Sequence, residues 1–178
     1  MESKTLRPIS FKATDAKGSI TAVFATMNVV DLDGDVTLPG AFGSQAVRIQ
    51  PGGHNTSMLP IGKGTVRESG NQAILDGQLN LGSEAGREAY AALKFDAENG
   101  SPLIEWSYIF HVAEAEYGDF NGKRVRFLKR LKVHSVDPVF LGAGIGTHTV
   151  AVKAATGLST AERAELEGIR GSPSTSPA

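Results

Sequence analysis

Residues 103–112 read LIEWSYIFHV. Ile104, Trp106, Tyr108 and Phe110 alternate with the remaining side chains, the period of a strand with one buried face. Ser107 falls on the other face beside Glu105. Working outward, similar short runs occur at residues 19–27, 62–67, 73–81, 124–128, 131–139 and 147–152, each predicted as a strand. Asn121-Gly122 lies between two of them and signals a hairpin. Residues 31–40 are rich in turn formers and predict a loop, and residues 41–49 predict a short helix. One clear helix interrupts the strands. Ser83 can cap it, Ala85, Ala89, Ala92 and Leu93 mark its apolar face, and Asn99-Gly100 ends it. The result is a mainly β domain.

The chain has 178 residues, enough for one domain with a proper core. Its 18 basic and 19 acidic residues give a formal net charge of -1. That balance points away from a nucleic-acid surface or a polybasic membrane anchor. There is no cysteine, which excludes disulfides, thiol catalysis and thiolate metal sites. The N-terminal MESKTLRPIS lacks an apolar signal core, and no run reaches the length of a membrane span. The 21 glycines and eight prolines are spread along the chain, as many turns between short strands require. The ordered domain is expected over residues 1–155. Residues 156–178 are expected to hold a short helix over 158–170, where Ser159 and Glu162 have capping-box spacing, followed by a disordered tail or linker ending GSPSTSPA.

A hydroxyl in the middle of a bulky, aromatic strand packs worse than Val. Ser107 is therefore a candidate nucleophile and His54 its candidate base; the plainer reading is an edge strand with one wet face. Three other patterns are weaker. Asp31, Asp33, Gly34 and Asp35 imitate the start of a calcium loop. The loop positions that need Gly and Glu instead hold Val36 and Phe42, so a polar turn is expected. The run GAGIGT at 142–147 lacks the phosphate-binding lysine and predicts a tight inter-strand turn. His54, His111, His134 and His148 lack metal-ligand spacing, and no cofactor or metal is expected.

Several segments in order give the chain a family likeness. They are Asn28 with Asp31 and Asp35, then DVTLPGAF at 35–42, then His54 and PIGKG at 60–64. Next come Glu105-Trp106-Ser107-Tyr108 and Arg124-Val125-Arg126, and last Pro138-Val139, Gly142-Ala143-Gly144 and residues 147–153. This series resembles the prohead proteases of tailed bacteriophages, serine proteases similar in fold to the herpesvirus assemblins. The resemblance runs from about Ser19 to Lys153.

It implies a compact antiparallel β-barrel flanked by helices, with Ser107 as nucleophile and His54 as base for acyl transfer. Main-chain amides would stabilise the oxyanion, with the stretch 124–130 suggested by analogy. The implied partners are the major capsid precursor and scaffold protein, and the chain itself as a substrate. A homodimer or higher oligomer is left open. The implied place is the interior of the prohead in the bacterial cytoplasm, with no role for nucleic acid or membrane.

The third catalytic member departs from the family pattern. The family strand usually reads E-V-S-P-V, and this chain reads Ser135-Val136-Asp137-Pro138-Val139. Ser135 and Asp137 share a strand face, with His134 on the other. Asp137 is the expected third member, two residues (roughly 7 Å) from the usual acid position. Ser135 and His134 are the alternatives, and Pro138 warns of a bulge or strand end. Ile109 also stands where the family usually has Gly. Two functional readings follow: a processing endopeptidase, or a weak or inactive relative kept as a capsid-assembly or scaffold component.

Overall fold

The computed structural model describes residues 18–100 and 103–153. The expected second helix at 158–170 and the tail lie outside them. Eight strands and one helix follow in the order β1 (Ser19–Thr26), β2 (Asp35–Thr37), β3 (Gln45–Ile49), β4 (Gly62–Ser69), β5 (Gln72–Leu79), α1 (Glu84–Glu98), β6 (Glu105–Phe120), β7 (Lys123–Val139) and β8 (His148–Lys153). All the strands belong to one sheet, ordered β2-β7-β3-β4-β5-β1-β8, with β6 paired to β7 off this path. The sheet curls into a half-barrel. Most pairings are antiparallel, but β7 runs parallel to both β2 and β3.

Curvature has a local cause at Gly64 and Gly77, which face each other across β4 and β5. A Cβ on Gly64 would stand 2.6 Å from the Asp76 carbonyl, and one on Gly77 would stand 2.9 Å from the Ile49 side chain. Only glycine lets the backbones and the inner side chains approach so closely. The concave side is filled by Ile20, Phe24, Ile49, Leu75, Trp106 and Leu128, all buried. Trp106 is fully buried and ties β6 toward β8: its amide donates to Thr147 Oγ1 at 3.1 Å and its indole N–H to Thr149 Oγ1 at 2.9 Å. The half-barrel is thus held at this seam by side-chain bonds rather than by a backbone ladder.

Phe24, Phe42 and Tyr108 form a mutually edge-on triangle, with centroids 5.1, 5.5 and 5.3 Å apart. Each such pair adds ~0.5–1.5 kcal/mol beyond area burial. The Tyr108 hydroxyl bonds Thr37, and burial pushes its ionisation up to about 12. The phenol is therefore neutral in the fold where it would ionise in the unfolded chain. Its contribution to stability is complete below the unfolded value near 10, and is lost as pH rises from there through the folded value. Wild type should lose thermal stability across this alkaline window more steeply than Tyr108→Phe, as followed by circular dichroism melts. Equal slopes would show that Tyr108 stays exposed to hydroxide.

The helix starts and stops where the sequence places it. Ser83 caps it, its Oγ accepting the Gly86 N–H at 3.1 Å, and Asn99 with Gly100 at φ 104° closes it. The hairpin turn at Asn121 and Gly122 has φ 52° and 80°, the left-handed pair that matches the twist of the flanking strands. Three expectations change. Residues 31–40 are not all loop, because Asp35–Thr37 form β2 alongside β7. The segment 41–49 is not a helix, because its second half forms β3. Val47 and Ile49 point inward at a spacing of two and pair with β4, and this tertiary pairing overrides local helix preference. The two short strands predicted at 124–128 and 131–139 are one continuous strand, β7, whose Lys129 and Arg130 are paired with Glu116 and Glu114 of β6.

Candidate active site around Ser107, His54 and Asp137

Ser107 and Asp137 are direct partners across the β6–β7 ladder. Opposite residues of an antiparallel pair project to the same side, with Cβ atoms roughly 4.5–5.5 Å apart. Pro138 does not disturb this register. It pairs with Trp106, and its carbonyl, on the edge of β7 away from β6, accepts the Gly53 N–H at 3.2 Å. The N and C=O of one strand residue point the same way, so the donor that proline lacks is missing from that other edge and not from the ladder with β6.

The same bond fixes the loop that carries His54. Pro51, Gly52, Gly53 and Pro60 punctuate residues 50–61, which lead from β3 to β4. His54 itself has φ 57°, in the left-handed region, directly after Gly53 at φ 74°. A non-glycine residue there is mildly strained, and such strain persists where the surroundings hold a functional side chain in place. Here the holding contact is Asp137: His54 Nδ1 lies 2.5 Å from Asp137 Oδ2. The His54 ring is about one-third exposed (30%), whereas Asp137 is wholly buried (0%).

Asp137 is held by the protein on both oxygens. Oδ1 accepts the main-chain N–H of Gln50 at 2.7 Å, and Oδ2 accepts the Ser135 hydroxyl at 2.7 Å as well as the histidine. A carboxylate can only accept, so Nδ1 of His54 carries the proton and Nε2 keeps its lone pair free. That is the tautomer a general base requires.

Ser107 also borders a small cavity, shared with Asp31, Thr37, Tyr108, Ala143 and Gly144. The turn that supplies Ala143 and Gly144 is pinned twice: the Glu105 carboxylate accepts the Gly142 N–H at 2.7 Å, and the Ala143 carbonyl accepts the Leu32 N–H at 3.0 Å. Asp31 Oδ1 takes the amides of Asp33 (3.0 Å) and Asp35 (2.8 Å), and burial raises the proton affinity of its carboxyl. Asp35 is bound by the Arg126 guanidinium, which holds that arginine's proton more tightly still. The acidic run is thus a polar turn in which Asp31 takes the turn's own amides and Asp35 is met by Arg126 of β7.

His134 is exposed, is the extra residue where the β6–β7 register shifts, and is not among the groups bonded to Asp137. Ser135 touches the acid. The stretch 124–130 pairs with residues 114–119 of β6, and its Arg126, Phe127 and Leu128 pair with Asp35, Val36 and Thr37 of β2, of which Asp35 and Thr37 line the cavity that Ser107 borders. Sequence reasoning missed the Gln50 amide, since any residue there supplies an N–H. It also missed the donation from Ser135, although the shared strand face was the available signal.

Among the described residues no helix is long and apolar enough to cross a membrane, and no cluster of His, Asp and Glu could hold a metal. Comparison with known proteins found no matching family model, curated protein or solved structure.

Proposed function

We propose that the chain is a serine endopeptidase of the phage prohead-protease kind, with the herpesvirus-assemblin type of fold that this implies. The observation that carries the reading is the buried Asp137 bound to His54 Nδ1, with Ser107 opposite Asp137 on the neighbouring strand. In the reaction His54 Nε2 takes the Ser107 hydroxyl proton as Oγ attacks the peptide carbonyl. The imidazolium, steadied by Asp137, then protonates the leaving amine, and water releases the acyl group by the same route. The oxyanion falls to main-chain amides at the cavity beside Ser107, where the turn carrying Ala143 and Gly144 is the pinned element.

The substrates in this reading are the major capsid precursor, the scaffold protein and the chain itself, cleaved inside the prohead. The test is co-expression with those precursors. Wild type should process them and Ser107→Ala should leave them intact. Processing that continues in Ser107→Ala removes this serine from the mechanism, and a wild type that cleaves nothing favours an assembly component without catalysis.

A further inference from the structure

Resting on the triad reading, we propose that Ser135 is a positioning residue, a fourth member of the site that holds Asp137 for His54. Ser135 is 2% exposed and Asp137 0%, so protein groups, not bulk solvent, set the environment of this carboxylate. Three protein donors converge on it. Gln50 N–H fixes Oδ1 from the end of β3, and Ser135 Oγ–H fixes Oδ2 from within β7, each at 2.7 Å. One donor on each oxygen removes the freedom of the carboxylate to rotate about its terminal torsion.

The third donor is His54, on a loop and partly exposed. Ser135 is two residues from Asp137 on the same strand face and moves with it. The acid is therefore set by strand elements, and the loop-borne histidine meets an oxygen already aimed at it. The Ser135 hydroxyl must be the donor, because its partner is a carboxylate. That excludes Ser135 as a second nucleophile, since its proton is committed to Asp137 and its oxygen is closed to substrate.

The consequence appears when His54 takes the proton from Ser107. Imidazolium then shares Oδ2 with Ser135 Oγ–H. A hydroxyl donating to Oδ2 draws off negative charge there and keeps the Nδ1 proton on the imidazole. Without it, the carboxylate holds two donors instead of three, pulls harder on that proton, and has only the histidine itself to hold Oδ2 in place. The loss belongs to the turnover step and not to substrate binding.

The test uses the full chain. Ser135→Ala, which removes one oxygen and keeps the strand, should lower kcat about tenfold with KM unchanged. Ser135→Thr restores a hydroxyl and should return kcat to within about threefold of wild type. Independently of turnover, the downfield His54 Nδ1–H proton resonance should move in Ser135→Ala and hold its position in Ser107→Ala. Wild-type kcat together with an unmoved resonance in Ser135→Ala would overturn the proposal. If Thr crowds the site and lowers the melting temperature, the resonance of the Ala variant decides. A wild type with no peptidase activity counts against the triad reading alone, and a resonance that still moves on losing Ser135 supports the positioning role.

Discussion

Asp137→Asn should lower kcat by about three to four orders of magnitude while leaving the fold in place. The substitution keeps shape and changes one acceptor oxygen into a donor NH₂. Oδ1 of the new amide can still accept the Gln50 N–H, which leaves the NH₂ facing His54 Nδ1 and Ser135 Oγ. Two donors cannot share one contact, so the histidine must move its proton to Nε2 and lose the lone pair that the proposed mechanism uses to activate Ser107. Turning the amide the other way restores the histidine contact but sets the NH₂ against the Gln50 N–H, a buried clash of donors. The first orientation disables the base, and the second is opposed by the buried clash with the Gln50 N–H. Steady-state kinetics on a cleaved peptide, with melting curves alongside, check this. A variant with near-wild-type kcat would mean that Asp137 is a structural anchor for the loop and that His54 works without it.

Ser107→Ala should abolish turnover, a fall of about a millionfold toward the uncatalysed rate, with little change in stability. The change removes one hydroxyl from the half-buried face of β6, and no structural hydrogen bond depends on that hydroxyl among the described residues. Trp106 and Tyr108 on either side carry the packing of this strand. Mass spectrometry of peptide products after long incubation, together with melts, separates the two effects. A large fall in melting temperature would show that Ser107 belongs to the core, and residual turnover at the wild-type rate would show that another group attacks the peptide.

Much of this arrangement was legible because strand alternation is a strong local signal. Tyr108 and Trp106 face the core and Ser107 does not, as the period of two in LIEWSYIFHV requires. The same period put Ser135 and Asp137 on one face of β7, and the single acid of that strand is the residue that meets His54. Ser83 and Asn99 bounded α1 because capping chemistry is written in the residues at each end.

What the sequence did not show depends on partners far along the chain. The segment 45–49 becomes strand because β4 and β7 lie on its two sides, and local composition carries no record of that. Lys129 and Arg130 looked like a break between strands, but their charges are met by Glu116 and Glu114 across the hairpin. Pro138 suggested a bulge, and its harmlessness comes from which edge of β7 its nitrogen faces. The Gln50 amide that holds Asp137 is a backbone group, supplied by position and not by residue type.

Covalent labelling with a fluorophosphonate tests the central claim most directly, because it needs no knowledge of the natural substrate. The reagent reacts with a serine only when a base and an oxyanion site have activated it. Intact mass and peptide mapping of wild type should show one adduct, on Ser107, absent in His54→Ala and strongly slowed in Asp137→Asn. A folded wild-type chain that takes no adduct, or one that takes it on a different serine, would contradict the triad.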